Sequence, residues 1–164
     1  MILVIGYGNT LRSDDGVGPK VADALEALHL PGVEVLARDL LAPELAEPVS
    51  RANFAVFVDA AVDAPREVQL RPLQPAESSQ LMAHSANPQT LLALARDVFG
   101  HAPRAWWLTI PAENLGIGEE LSPLTQSGFG EAMKMLQAFA APQQPARLES
   151  ANQGQPEAGT PQPL

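Results

Sequence analysis

The apolar residues of this chain fall into short runs separated by turn signals, and the runs alternate between two periodicities. Ile2-Leu-Val-Ile5 is continuous and stops at Gly6, which predicts a strand buried on both faces. Val17, Val21, Leu25 and Leu28 recur at helical spacing, with Pro19 suited to a first turn, and His29 is expected to close that helix. A second strand is expected at Val33–Ala37 and a short helix at Pro43–Ser50, limited by Pro48. The third strand, Phe54–Val58, is the most apolar. Glu67–Leu73 alternates as a fourth, marked as an edge by Pro72. A helix over Pro88–Phe99 presents Leu91, Leu92, Ala95 and Val98 on one side, and a fifth strand covers Ala105–Ile110. Ser122 and Pro123 form a cap and first-turn pair for a last helix that turns Met133, Leu136 and Phe139 inward.

The order βαβαββαβα favours an α/β sheet with helices on both faces. Right-handed crossovers place the first and third strands side by side, with the chain leaving them in opposite directions. A crevice then opens beyond their carboxyl ends, so chemistry is expected within residues 6–18 and 59–65.

Composition narrows the classes. The chain has 164 residues with 10 basic and 19 acidic side chains, a net charge of −9. That argues against nucleic acid and anionic membranes as partners. The absence of cysteine excludes disulfides, thiolate metal sites and a thiol nucleophile. No run approaches the ~18 apolar residues of a membrane span, and the first residues do not resemble a signal peptide. A cytoplasmic monomer is the expectation. Residues 1–140 are expected to fold as one domain. The remaining 24 residues hold five prolines and five glutamines and are expected to be a disordered tail.

The first crevice loop reads Gly6-Tyr-Gly-Asn-Thr-Leu-Arg-Ser-Asp-Asp-Gly-Val-Gly18. It opens like a dinucleotide fingerprint, but Leu11 stands where the third glycine belongs. Asp14 and Asp15 precede the first helix. One of the two is accounted for as a helix cap, which leaves the other to point into the crevice. Asp59 follows the third strand at its carboxyl end, where an unpartnered buried acid would be costly. Asp63 reads as a solvated turn residue and His101 as part of a loop. His84 precedes the third helix. With Asp15 and Asp59 it makes a donor set suited to zinc, nickel or another divalent ion. No serine-hydrolase elbow occurs. Trp106 and Trp107 read as core on one face and cover on the other.

Gly6-x-Gly-Asn-x-Leu-x-x-Asp-Asp-Gly-x-Gly18 resembles the opening signature of the [NiFe] hydrogenase maturation endopeptidases. The resemblance extends through Val56-Phe-Val-Asp59-Ala60, the His84 loop and Gly118-Glu-Glu-Leu-Ser-Pro123, across residues 1–140. It implies a three-layer α/β/α sandwich on a five-stranded mixed sheet of order 2-1-3-5-4, strand 4 antiparallel. It implies removal of a C-terminal extension from a hydrogenase large-subunit precursor after nickel insertion. Asp15, Asp59 and His84 then fall on the catalytic and metal-binding positions, the nickel being that of the substrate. Where many members carry a glycine-rich segment after the second strand, this chain has Asp39-Leu-Leu-Ala-Pro-Glu-Leu45, which is more similar to the branch serving soluble NAD-coupled hydrogenases. Two other readings remain: a non-catalytic metal- or precursor-binding module of the same fold, and a flavodoxin-like nucleotide binder, which the broken glycine pattern and the acidic turn oppose.

Overall fold

In the computed structural model, residues 1–63, 65–79 and 86–142 are described. Five strands, β1 (Ile2–Tyr7), β2 (Val33–Arg38), β3 (Phe54–Ala61), β4 (Gln69–Leu73) and β5 (Arg104–Pro111), form one sheet of order β2-β1-β3-β5-β4. Only the β4–β5 pairing is antiparallel. The helices are α1 (Val17–Glu26), α2 (Ala46–Arg51), α3 (Pro88–Phe99) and α4 (Pro123–Ala140). This is the architecture expected from the sequence, with the switch point between β1 and β3.

Strand alternation divides the core into two layers. Leu3, Ile5, Ala55, Phe57 and Ala105 point to one face and pack on Ala46 and Val49 of α2 and Leu91, Leu92 and Ala95 of α3. Val4, Val56, Val58, Leu108 and Ile110 point to the other and meet Val17, Val21 and Leu25 of α1 and Ala132 and Leu136 of α4. Met133 and Phe139 are partly buried against this second layer. Both faces of the central strands are therefore covered, which is why their sequences run apolar without a break. The paired tryptophans divide between layers: Trp107 packs on the first, and Trp106 stacks edge-on against Phe139 at 4.9 Å.

Several boundaries differ from expectation. Pro48 sits three residues into α2 and does not end it, because the first turn has no intrahelical acceptor for its missing N–H. The helix that precedes β2 stops at Glu26. Leu28 is exposed and His29 lies in the following turn at φ +48°, so neither belongs to α1. Val98 is exposed together with Phe99, so the last turn of α3 overhangs the layer it packs on. That helix is closed by Asn87 at the start and left-handed Gly100 at the end. The expected tail beyond residue 142 lies outside the described residues, and no described helix is long and apolar enough to cross a membrane.

The first turn of α1 lies directly on the backbone of the two central strands. A Cβ on Gly18 would stand 2.4 Å from the Tyr7 carbonyl oxygen and 2.7 Å from that of Val58. One on Gly6 would stand 2.0 Å from the Gly18 oxygen. Gly18 thus supplies the close helix–strand approach that a dinucleotide fingerprint assigns to the residue at position 11. Gly18→Ala should lose about 3 kcal/mol or more, although alanine is the better helix former by ~1 kcal/mol. Urea unfolding measures the difference, and a variant as stable as the parent would refute the close packing.

Candidate active site

The two acids of the first loop have separate tasks. They lie in a single 3₁₀ turn, Ser13–Gly16, which feeds α1. The cap of α1 is Gly16, and no side chain caps the helix. Asp14 turns away from the crevice and is fully buried. Its Oδ2 accepts from the amides of Glu113 (3.0 Å) and Asn114 (2.9 Å) and from the Ser122 hydroxyl (2.8 Å). Its Oδ1 accepts from the Ser122 amide at 2.7 Å. The acid spared from the crevice is therefore no helix cap for α1: it ties the β1–α1 loop to the β5–α4 loop. Further bonds run alongside, from the Ser13 amide to the Gly118 oxygen (2.8 Å) and from the Gly118 amide to the Leu11 oxygen (2.9 Å). Ser122 is the cap of α4, as its sequence indicates, and its hydroxyl also accepts from the Thr125 amide at 3.4 Å.

Asp15 is the acid left at the crevice. Its Oδ2 accepts from the Asn9 amide at 2.8 Å, while the Asn9 side chain closes its own turn on the Leu11 amide at 2.9 Å. Gly8, at φ +142°, lets the chain pass close beneath: a Cβ there would stand 2.0 Å from the Asp15 carbonyl oxygen.

Asp59 is within β3, which extends past the predicted end at Val58 to Ala61, and it is paired with Thr109 of β5. By alternation it shares the face of Ala55 and Phe57, and it is partly buried. Tyr7, the last residue of β1, donates its hydroxyl to Asp59 Oδ2 at 3.0 Å. Two buried polar atoms on the same face of β5, Trp107 Nε1 and Thr109 Oγ1, have no hydrogen-bond partner among the described residues.

The electrostatics separate the acids. Burial pushes Asp14 up, but the Glu113, Ser122 and Asn114 amides and the Ser122 hydroxyl outweigh it and hold the carboxyl at about 2. Burial raises Asp59 to about 6; the Tyr7 hydroxyl and the Ala60 amide oppose that rise, and the Asp15 charge adds to it. Burial, then the charge of Asp59, drives the Tyr7 phenol far up, so it stays a donor. Neither Asp15 nor Asp59 forms an ion pair among the described residues. Two carboxylates with no cation beside them supply oxygen donors of the kind a divalent ion takes.

Of the three residues predicted for the site, the structure thus brings Asp15 and Asp59 within electrostatic reach at the switch point. His84 lies outside the described residues, and no third ligand joins the two acids among those described. Asp63 is exposed, and His101 meets the Ala52 carbonyl at 3.2 Å, away from the crevice. Tyr7 is the site residue that sequence reasoning misses. The available signal is its parity with Leu3 and Ile5, which aims it at the face that also receives Asp59.

No protein-family model matches the chain, and no curated protein does. Solved structures do. The hydrogenase maturating endopeptidase HybD from E. coli is 25% identical, with 84% of this chain and 90% of that one aligned at a TM-score of 0.63. The chain shares the fold of the [NiFe] hydrogenase maturation proteases. The [NiFe] hydrogenase maturation protease HycI from Thermococcus kodakarensis KOD1 is 18% identical over 85% of this chain and 91% of that one, at a TM-score of 0.65. The hydrogenase 2 maturation peptidase from Thaumarchaeota archaeon SCGC_AB-539-E09 is 23% identical over 85% and 97%, at 0.61. These likenesses do not single out the branch that serves NAD-coupled hydrogenases.

Two pH effects of opposite sign follow. Asp14 has a depressed folded pKa, so its contribution is present above the unfolded value of 3.8 and is lost as pH falls toward about 2. The loss should be roughly 2 kcal/mol, read as an acid limb in denaturation midpoints, and Asp14→Asn should lower stability at neutral pH and flatten that limb. Asp59 has a raised folded pKa, so its favourable term holds below 3.8 and is lost as pH rises through about 6. Asp59→Asn should therefore melt higher than the parent at pH 7 to 8, by on the order of 1–2 kcal/mol, and the gap should close near pH 4. An Asp59→Asn protein less stable than the parent at pH 8 would contradict this assignment.

Proposed function

We propose that the chain is a cytoplasmic endopeptidase that removes the C-terminal extension of a [NiFe] hydrogenase large-subunit precursor after nickel insertion. The observation that carries this reading is the uncompensated Asp15–Asp59 pair at the switch point of a maturation-protease fold. HybD, to which the chain is similar, is a hydrogenase maturating endopeptidase. The Leu41-Ala-Pro-Glu-Leu45 segment makes a soluble, NAD-coupled hydrogenase the preferred substrate.

In this reading Asp15, Asp59 and His84 meet the metal that the precursor already carries. Nickel held there supplies Lewis acidity toward the scissile carbonyl or a water. The chain's residues supply the rest. Asp15 is held by the Asn9 amide and Asp59 by Tyr7, so each offers a carboxylate in a fixed orientation. Asn87 caps α3 where that helix begins, and His84 is three residues earlier in the chain. Since α3 ends shortly before β5 starts, its beginning lies toward the carboxyl edge of the sheet, the edge that carries Asp59. No serine or cysteine nucleophile is required, in keeping with a chain that has no cysteine.

A purified, nickel-loaded precursor provides the assay, since cleavage shifts the large subunit on a denaturing gel. Asp15→Asn, Asp59→Asn and His84→Ala should each leave the precursor full length while the proteins remain folded. Normal processing by any one of them removes that residue from the set. A parent protein that binds the precursor without shortening it would establish a binding module in place of an enzyme.

A further inference from the structure

We propose that Tyr7 is a positioning residue for the reaction: its hydroxyl orients the Asp59 carboxylate toward the cation that Asp15 and Asp59 receive. The proposal rests on the ligand reading above and adds a residue to it.

The geometry is built into the sheet. Tyr7 ends β1 on the face of Leu3 and Ile5, and Asp59 lies on the adjoining β3 on the same face. The phenol reaches across to Asp59 Oδ2 at 3.0 Å. A carboxylate one carbon from a strand backbone still has two side-chain torsions to settle. A directed hydrogen bond to one oxygen restricts both. Packing does not explain the hydroxyl. A phenylalanine would fill the same volume against the first core layer without burying a polar atom, and a buried hydroxyl is costly unless it is bonded. The phenol is bonded, and its partner is the Asp59 carboxylate. Among the described residues, Tyr7 is the side chain that donates to Asp59.

The test uses the full chain, free of metal, with Ni²⁺ and Cd²⁺ as probes in titration calorimetry and with the thermal midpoint measured without metal. Tyr7→Phe removes one oxygen. It should weaken Ni²⁺ binding about 10- to 100-fold, the usual range for losing a group that orients a ligand, while the metal-free protein remains folded at the temperature of the titration. Asp59→Asn should abolish binding. If Asp59→Asn binds Ni²⁺ like the parent, the ligand reading falls and the role of Tyr7 with it; if the parent binds neither ion, the positioning role is overturned for the free chain, and the ligand reading, which seats the nickel in the precursor, is decided by the cleavage assay. If Asp59→Asn loses binding but Tyr7→Phe keeps the parent's affinity, the ligand reading stands and the positioning role alone is overturned. A Tyr7→Phe protein that loses affinity because it is unfolded at the temperature of the titration assigns the hydroxyl a structural role, which equally overturns the proposal.

Discussion

A single buried carboxylate holds the functional end of this molecule together. Asp14 is removed from water entirely, and it is tolerable there only because four donors from one loop and one helix start converge on it. Those donors belong to residues far along the chain, so the bond set closes the β1–α1 loop against the β5–α4 loop. The consequences spread from there. Ser122 is fixed both as a partner of Asp14 and as the cap of α4, so the start of that helix is set by the same group. The 3₁₀ turn is fixed as well, and with it the direction in which the next residue faces. Asp15 is at the crevice because Asp14 is not.

That division explains what the sequence could and could not reveal. The layers and strand order were legible because both central strands are apolar on both faces and the helices carry one apolar stripe each. The edge position of β4 was legible from Pro72. Boundaries were less so where a local rule met an exception. Pro48 reads as a terminator but sits in a first turn, where its missing donor has no consequence. The paired acids showed that one would face the crevice. Which one, and what the other does, depended on donors at Glu113, Asn114 and Ser122, and no local pattern links those positions to Asp14. Gly18 is a similar case: its spacing fits no dinucleotide fingerprint, yet it performs the packing task of one from a later position in the loop. Tyr7 was hidden because the apolar run stops at Gly6, which leaves Tyr7 to be read as loop, whereas β1 continues through it. Its hydroxyl has meaning only once β1 and β3 are known to be neighbours in parallel register.

The two acids also mark where stability and chemistry diverge. Asp14 is satisfied, and its charge stabilises the fold. Asp59 is half-satisfied, lies close to a like charge, and has a carboxyl raised to about 6, so its ionised form strains the native state at neutral pH. A fold selected for stability alone would place a cation, an amide or an apolar residue there. Among the described residues no cation does so, and the neighbouring Trp107 and Thr109 polar atoms are left without partners too. Unmet electrostatic demand concentrated in one crevice, beside a loop that is held rigid by a fully met demand, is the arrangement expected of a site that is completed from outside. A cation would offset the repulsion between Asp15 and Asp59, which an incoming carbonyl or amide could bond to but not relieve. In the proposed function, a metal already seated in the precursor would supply that charge, and only once the precursor is ready to be cut. The energetic deficit at Asp59 would then itself discriminate between a metal-loaded substrate and an empty one.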